Sequence, residues 1–154
     1  MFLFEQENSM SDLDLYQISD RYKRDEGRVF LTGVQALARL PLQQLRADRK
    51  QGKNTAAFLS GYPGSPLAGF NFEIDKAKSL APELPIIHRP VLNEEHGATA
   101  VMGSQLAAEQ PDCAYDGIVG LWYGKAPGLD RAGDALRHAV FTGTSRNGGA
   151  GAIV

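Results

Sequence analysis

Apolar and polar positions change period several times along this chain. Val34, Leu37, Ala38, Leu40 and Leu45 form an approximately helical stripe, which predicts a helix over 33–50. Pro41 lies inside that stretch and is expected to kink or break it. Thr55-Ala56-Ala57-Phe58-Leu59-Ser60 is a short apolar run of the kind that forms a buried strand. It ends in Gly61-Tyr62-Pro63-Gly64-Ser65-Pro66, which reads as a loop. A second helix is predicted over 67–80 and a second strand over 85–89, Pro85-Ile86-Ile87-His88-Arg89. Asn93 is placed to cap a third helix over 94–109. A third strand follows at Gly117–Trp122, then a loop over 124–128 and a fourth helix from near Leu129 to about Phe141. Gly148–Val154 reads as the start of a fourth strand.

Strands alternating with helices predict an α/β fold: three layers, with a parallel sheet covered by helices on both faces. Crossovers in such a sheet are right-handed, and ligands sit at the carboxyl ends of its strands. Those ends carry the Gly61–Pro66 loop, the Asn93–Glu94 turn and the Trp122–Gly128 loop, so three separate features converge on one edge. Ahead of the alternation, residues 1–27 are mostly polar and charged and read as a partly disordered arm with one turn of helix; residues 28–154 form the domain. The chain stops within an apolar strand, which suggests a domain incomplete at its C-terminus.

Composition narrows the function classes. The 154 residues are 43% hydrophobic and 22% charged, with a formal net charge of -2, which suits one globular domain. That balance disfavours a disordered chain or a strongly basic nucleic-acid binder. No apolar run long enough for a membrane span occurs, and the start lacks the basic and apolar parts of a signal peptide. A cytoplasmic protein without a membrane or nucleic-acid partner is expected. The lone Cys113 cannot form an internal disulfide or a four-thiolate iron–sulfur site.

Glu94 is the first candidate for chemistry. It lies just after a strand, at the first turn of a helix, beside Glu95. Acidic residues at that position suit the helix dipole whatever their function. A carboxyl buried at the sheet edge would instead be poised to exchange a proton with a ligand. Side chains of helical neighbours point about 100° apart, so only one of the two acids can serve. The Gly61–Pro66 loop lacks side-chain bulk at Gly61 and Gly64 and lets backbone approach a ligand, although an ordinary tight turn has the same composition. Lys125 lies in a loop without phosphate-binding spacing and reads as a surface lysine. His88, His96 and His138 show no metal-ligand spacing and read as structural or surface residues. No nucleophilic triad can be assembled.

Four segments taken together resemble one family. They are Gly27–Leu37; Phe58-Leu59-Ser60-Gly61-Tyr62-Pro63-Gly64-Ser65-Pro66-Leu67; Leu92-Asn93-Glu94-Glu95-His96-Gly97 through Gln105; and Leu121-Trp122-Tyr123-Gly124-Lys125-Ala126-Pro127-Gly128-Leu129-Asp130-Arg131 through Asp134. Over Gly27–Val154 the chain resembles the amino-terminal part of the fused indolepyruvate ferredoxin oxidoreductases. These are thiamine-diphosphate enzymes that convert an aryl-pyruvate, coenzyme A and oxidised ferredoxin to acyl-coenzyme A, carbon dioxide and reduced ferredoxin. The resemblance implies a thiamine-diphosphate-binding fold of the pyrimidine type. It further implies a partner domain or subunit that binds the diphosphate and magnesium, iron–sulfur clusters in other parts of the enzyme, and a homo-oligomer. It implies that Glu94 hydrogen-bonds the aminopyrimidine ring and favours the tautomer that activates the cofactor. Ser65 would lie near the reacting carbonyl, with Tyr62, Gly64 and Pro66 shaping the wall.

Pro63 stands where the fused family often carries arginine, and His96-Gly97 is unusual, which leaves the particular 2-oxoacid open. The chain has no Gly-Asp-Gly diphosphate motif and no cysteine cluster, so by itself it is expected to show no turnover. The competing expectation is a non-catalytic α/β binding or scaffold domain that has kept the fold.

Overall fold

A computed structural model describes residues 16–64 and 68–154. Four strands, β1 (Thr55–Gly61), β2 (Ile86–Pro90), β3 (Gly117–Tyr123) and β4 (Gly149–Ile153), form one sheet in the order β2-β1-β3-β4. Every pairing is parallel. The connecting helices are α1 (Asp20–Lys23), α2 (Gly33–Lys50), α3 (Ala68–Leu80), α4 (Glu94–Ala108), α5 (Ala126–Arg131) and α6 (Gly133–Thr142).

The alternation of side chains along the central strands explains the layers. Ala57, Leu59 and Tyr123 face one side and pack with Leu42 and Leu45 of α2 and Phe70 and Ile74 of α3. Phe58 and Trp122 face the other side and pack with Ala98 and Val101 of α4 and with Leu136 of α6. The α/β reading with helices on both faces therefore holds. Because all strands run the same way, their carboxyl ends share one edge, as the sequence implied.

Several local readings need correction. The α2 helix runs unbroken through Pro41, and the proline ring is buried. Pro41 removes one intrahelical hydrogen bond, and burial of its ring and of the adjoining Leu42 offsets that loss. Leu40 was placed on the apolar stripe but is 53% exposed. The buried positions are Ala38, Arg39, Pro41, Leu42, Leu45 and Asp48, which follow the 3.6 period more closely. The fourth predicted helix is two helices, α5 and α6, separated at Ala132. The first begins inside the predicted 124–128 loop, with Pro127 in its opening turn, where a missing N–H is harmless.

The segment read as an arm also behaves differently where it is described. Tyr22, on α1, is fully buried within the α2–α3 core. Its hydroxyl donates to Glu73, and the guanidinium groups of Arg39 and Arg46 donate to carbonyls of residues 21–24. A strap from α1 is thus tied onto the domain, and the packed body begins ahead of Arg28. Residues 1–15 of the arm lie outside the described residues. Burial, and then the Glu73 hydrogen bond, holds the Tyr22 phenol far above its ordinary range. Burial raises the Glu73 carboxyl, but hydrogen bonds from Tyr22 and Gln35 bring it below its usual value. A carboxyl lowered in the folded state stabilises it above the unfolded pKa, and that contribution is lost as pH falls through the folded pKa. Tyr22→Phe is expected to cost about 1 kcal/mol at neutral pH, because Glu73 is partly solvated. The gap from wild type should close in acid. Urea unfolding of both proteins at neutral and acidic pH measures this, and an unchanged gap would remove Glu73 from the account.

Candidate functional site

Three turns meet at the carboxyl edge of the sheet. After β1, the carbonyl of Gly61 accepts from the Val91 N–H, tying this turn to the one that follows β2. A Cβ on Gly64 would lie 3.7 Å from Cε of Lys125, so the β1 loop also reaches the turn after β3. Asn93 caps α4 as predicted, its side chain accepting from the His96 N–H at 2.9 Å. The glycines set how close these parts come. A Cβ on Gly97 would lie 2.9 Å from the Gly61 Cα, so the first turn of α4 can sit on the end of β1 only because Gly97 lacks a side chain.

That placement separates the two adjacent acids. Glu94 is buried, at 8% exposure. Its backbone carbonyl accepts from the fully buried Trp122 indole, Nε1 to O 3.0 Å. Its side chain fills the space a Cβ would occupy on Gly128, 2.5 Å from Cγ and 2.7 Å from Oε1. Gly124 borders the same side chain at 3.5 Å. Among the described residues no side chain donates a hydrogen bond to the Glu94 carboxyl. Glu95 points outward and lies 3.8 Å from Arg131, with 49% of its side chain exposed. Of the two acids, left open in the sequence, Glu94 is the buried one and Glu95 the exposed one.

Tyr62 is exposed and Gly64 half-buried, both in the loop beside this edge, while Ser65 and Pro66 lie outside the described residues. Lys125 is exposed. Leu92, in the turn after β2, and Leu129, on α5, are 87% and 39% exposed. The edge around Glu94 therefore carries apolar groups open to a covering surface. A cavity of about 290 Å³ lies elsewhere, between α4, α6 and β4, lined mainly by Val101, Met102, Leu136 and Ala152. It does not include Glu94, Tyr62 or Gly64. Among the described residues no group of three or more His, Cys, Asp or Glu could hold a metal ion, and no helix is long and apolar enough to cross a membrane.

His96 and His138 are exposed, whereas His88 belongs to a buried chain of polar groups that the sequence reading missed. His88 Nδ1 lies 2.8 Å from Asp75 Oδ1, and Nε2 lies 3.0 Å from the Tyr123 hydroxyl. That hydroxyl lies 2.6 Å from the Asn71 side-chain amide. Burial, and then the Asp75 charge, holds the Tyr123 phenol far above its ordinary range. The available signal was the i, i+4 spacing of Asn71 and Asp75 on one helix face, together with the inward position that His88 shares with Ile86 on β2.

Searches against family models, curated proteins and solved structures return no match to this chain.

Proposed function

We propose that this chain is the aminopyrimidine-binding domain of a thiamine-diphosphate-dependent 2-oxoacid:ferredoxin oxidoreductase of the indolepyruvate type. The observation that carries the reading is the fate of two neighbouring carboxyls. One is exposed beside an arginine; the other is buried at the sheet edge, on backbone that Trp122 holds, and fitted against Gly124 and Gly128. Among the described residues no side chain donates to the Glu94 carboxyl, which leaves it an acceptor for a hydrogen bond from a ligand. A protonated heterocycle nitrogen meets that need.

In this reading Glu94 holds the aminopyrimidine, and Tyr62 and Gly64, with Ser65 and Pro66, form the wall beside it. Glu94 accepts a hydrogen bond and shares the proton with the ring. Its burial excludes the water that would compete for that bond. Trp122 fixes the first turn of α4 so that the carboxyl keeps its direction. When bound, thiamine diphosphate supplies the electron sink for decarboxylation of the 2-oxoacid. The diphosphate, magnesium and iron–sulfur clusters belong to a partner domain or subunit, with coenzyme A and ferredoxin acting on the assembled enzyme. The exposed Tyr62, Leu92 and Leu129 around the buried acid suit the surface that such a partner covers.

The test is reconstitution. Co-expression with a diphosphate-binding partner of this family is expected to give a stable complex. That complex should reduce an acceptor dye only when a 2-oxoacid, coenzyme A and thiamine diphosphate are all present. A complex that forms but lacks thiamine-dependent activity with any aryl- or alkyl-2-oxoacid would overturn the reading and favour a non-catalytic binding domain.

A further inference from the structure

The buried chain Asp75–His88–Tyr123–Asn71 has only a few ways to distribute its protons. Tyr123 has one hydroxyl proton and two polar neighbours, the His88 Nε2 at 3.0 Å and the Asn71 amide at 2.6 Å. The Asp75 side chain is 64% exposed, while that of His88 is 1% exposed. Among the described residues the titratable groups within hydrogen-bond reach of His88 are Asp75 from α3 and Tyr123 from β3. The β1 residue paired with it is the apolar Leu59.

Consider first the arrangement with Asn71 Oδ1 toward the hydroxyl, as the structure has it. An amide oxygen only accepts, so Tyr123 donates its proton to Asn71. His88 Nε2 must then donate to the Tyr123 oxygen. On the other side of the ring, Nδ1 must also donate, because it faces a carboxylate. Both ring nitrogens carry protons. Among the described residues the Asn71 Nδ2 group is left buried without a partner.

Now remove one proton from Nε2. The nitrogen becomes an acceptor, and Tyr123 turns its hydroxyl toward it. The Tyr123 oxygen then needs a donor from Asn71, which the amide supplies by exchanging its nitrogen for its oxygen. Both bonds at Tyr123 are again made, each in the reverse direction, while Nδ1 still donates to Asp75. The outer end of the Asn71 amide now presents an acceptor in place of a donor. Intermediate arrangements place two donors or two acceptors face to face, or leave a hydrogen bond unmade, so the chain has two states.

We propose that these four residues form a proton-linked switch, in which uptake of one proton by His88 reverses the Tyr123 hydroxyl and turns over the Asn71 amide. Asn71 lies in the first turn of α3, directly after the loop that begins at Gly61. The switch therefore changes a donor to an acceptor beneath the start of α3, next to the carboxyl edge of the sheet. It does not depend on the cofactor reading, since it uses only this chain's own residues.

The experiment is a pH titration of the isotope-labelled full chain by nuclear magnetic resonance, from about pH 5 to 9, where histidines titrate. The His88 ring nitrogens and the Asn71 side-chain amide are expected to shift together with one midpoint. In Tyr123→Phe the His88 ring should still titrate while the Asn71 response falls at least fivefold. His88→Gln keeps an amide in the same place without a titrating group, and should abolish the Asn71 response; it serves also if Tyr123→Phe does not fold. An Asn71 amide that stays constant while His88 titrates would overturn the switch. So would a His88 that does not titrate in this range, or coupling that survives loss of the Tyr123 hydroxyl.

Discussion

Glu94→Gln, in the chain assembled with its diphosphate-binding partner, is expected to lower 2-oxoacid-dependent acceptor reduction by about 10²–10⁴-fold, the usual weight of a positioned acid or base. Glutamine fills the same space against Gly124 and Gly128 and leaves the backbone bond from Trp122 intact, so folding should be unaffected. What it cannot do is share a proton with a bound heterocycle. Glu95→Gln removes only a long, exposed pairing with Arg131, worth under about 1 kcal/mol, and should leave activity within about twofold of wild type. Steady-state kinetics with saturating cofactor separate the two. Equal losses in both variants would mean that the local charge matters, not the buried acid. Full activity in Glu94→Gln would remove Glu94 from the chemistry altogether.

The sheet and its edge were legible because they rest on short-range rules. Alternation of apolar runs with helical stripes gives a parallel sheet, and a parallel sheet gathers its loops at one end. Asn93 could be read as a cap from its place before an acidic turn, and its side chain does bond the His96 N–H. The choice between Glu94 and Glu95 was not legible. It depends on the rotation of α4 about its axis, which the contact between Gly97 and Gly61 fixes across the sheet edge. Tyr22 was misread for a related reason. A single tyrosine in a charged segment carries no periodic signal, and its burial depends on Arg39 and Arg46, more than a dozen residues away, capturing backbone carbonyls. The break between α5 and α6 was missed because the gap at Ala132-Gly133 contains no proline to mark it.

The glycines of the site divide into two kinds, and substitution should tell them apart. In Gly61→Ala the new methyl would overlap the backbone carbonyl of Tyr123 and lie 2.7 Å and 2.8 Å from its ring carbons. Gly61 and Tyr123 are paired across the β1–β3 ladder, and the Tyr123 ring is fully buried, so neither can withdraw without disturbing the sheet. A loss of about 3–5 kcal/mol is expected, a large part of the stability of a domain this size. In Gly128→Ala the nearest atoms to the new methyl all belong to the Glu94 side chain, Cγ at 2.5 Å and Cδ at 2.8 Å among them. A side chain can turn away. Alanine also favours the helix over glycine by about 1 kcal/mol, so the net change in stability should be within about 1 kcal/mol. Activity should nonetheless fall as far as in Glu94→Gln, because the displaced carboxyl no longer faces the ligand. The double variant Glu94→Gln with Gly128→Ala should lose little more than either alone, since both act on one group. Denaturant unfolding and turnover, measured on the same preparations, decide the matter. A fully active Gly128→Ala would show that the acid works from some other position, and an undiminished Gly61→Ala would contradict the close pairing of β1 with β3 at Tyr123.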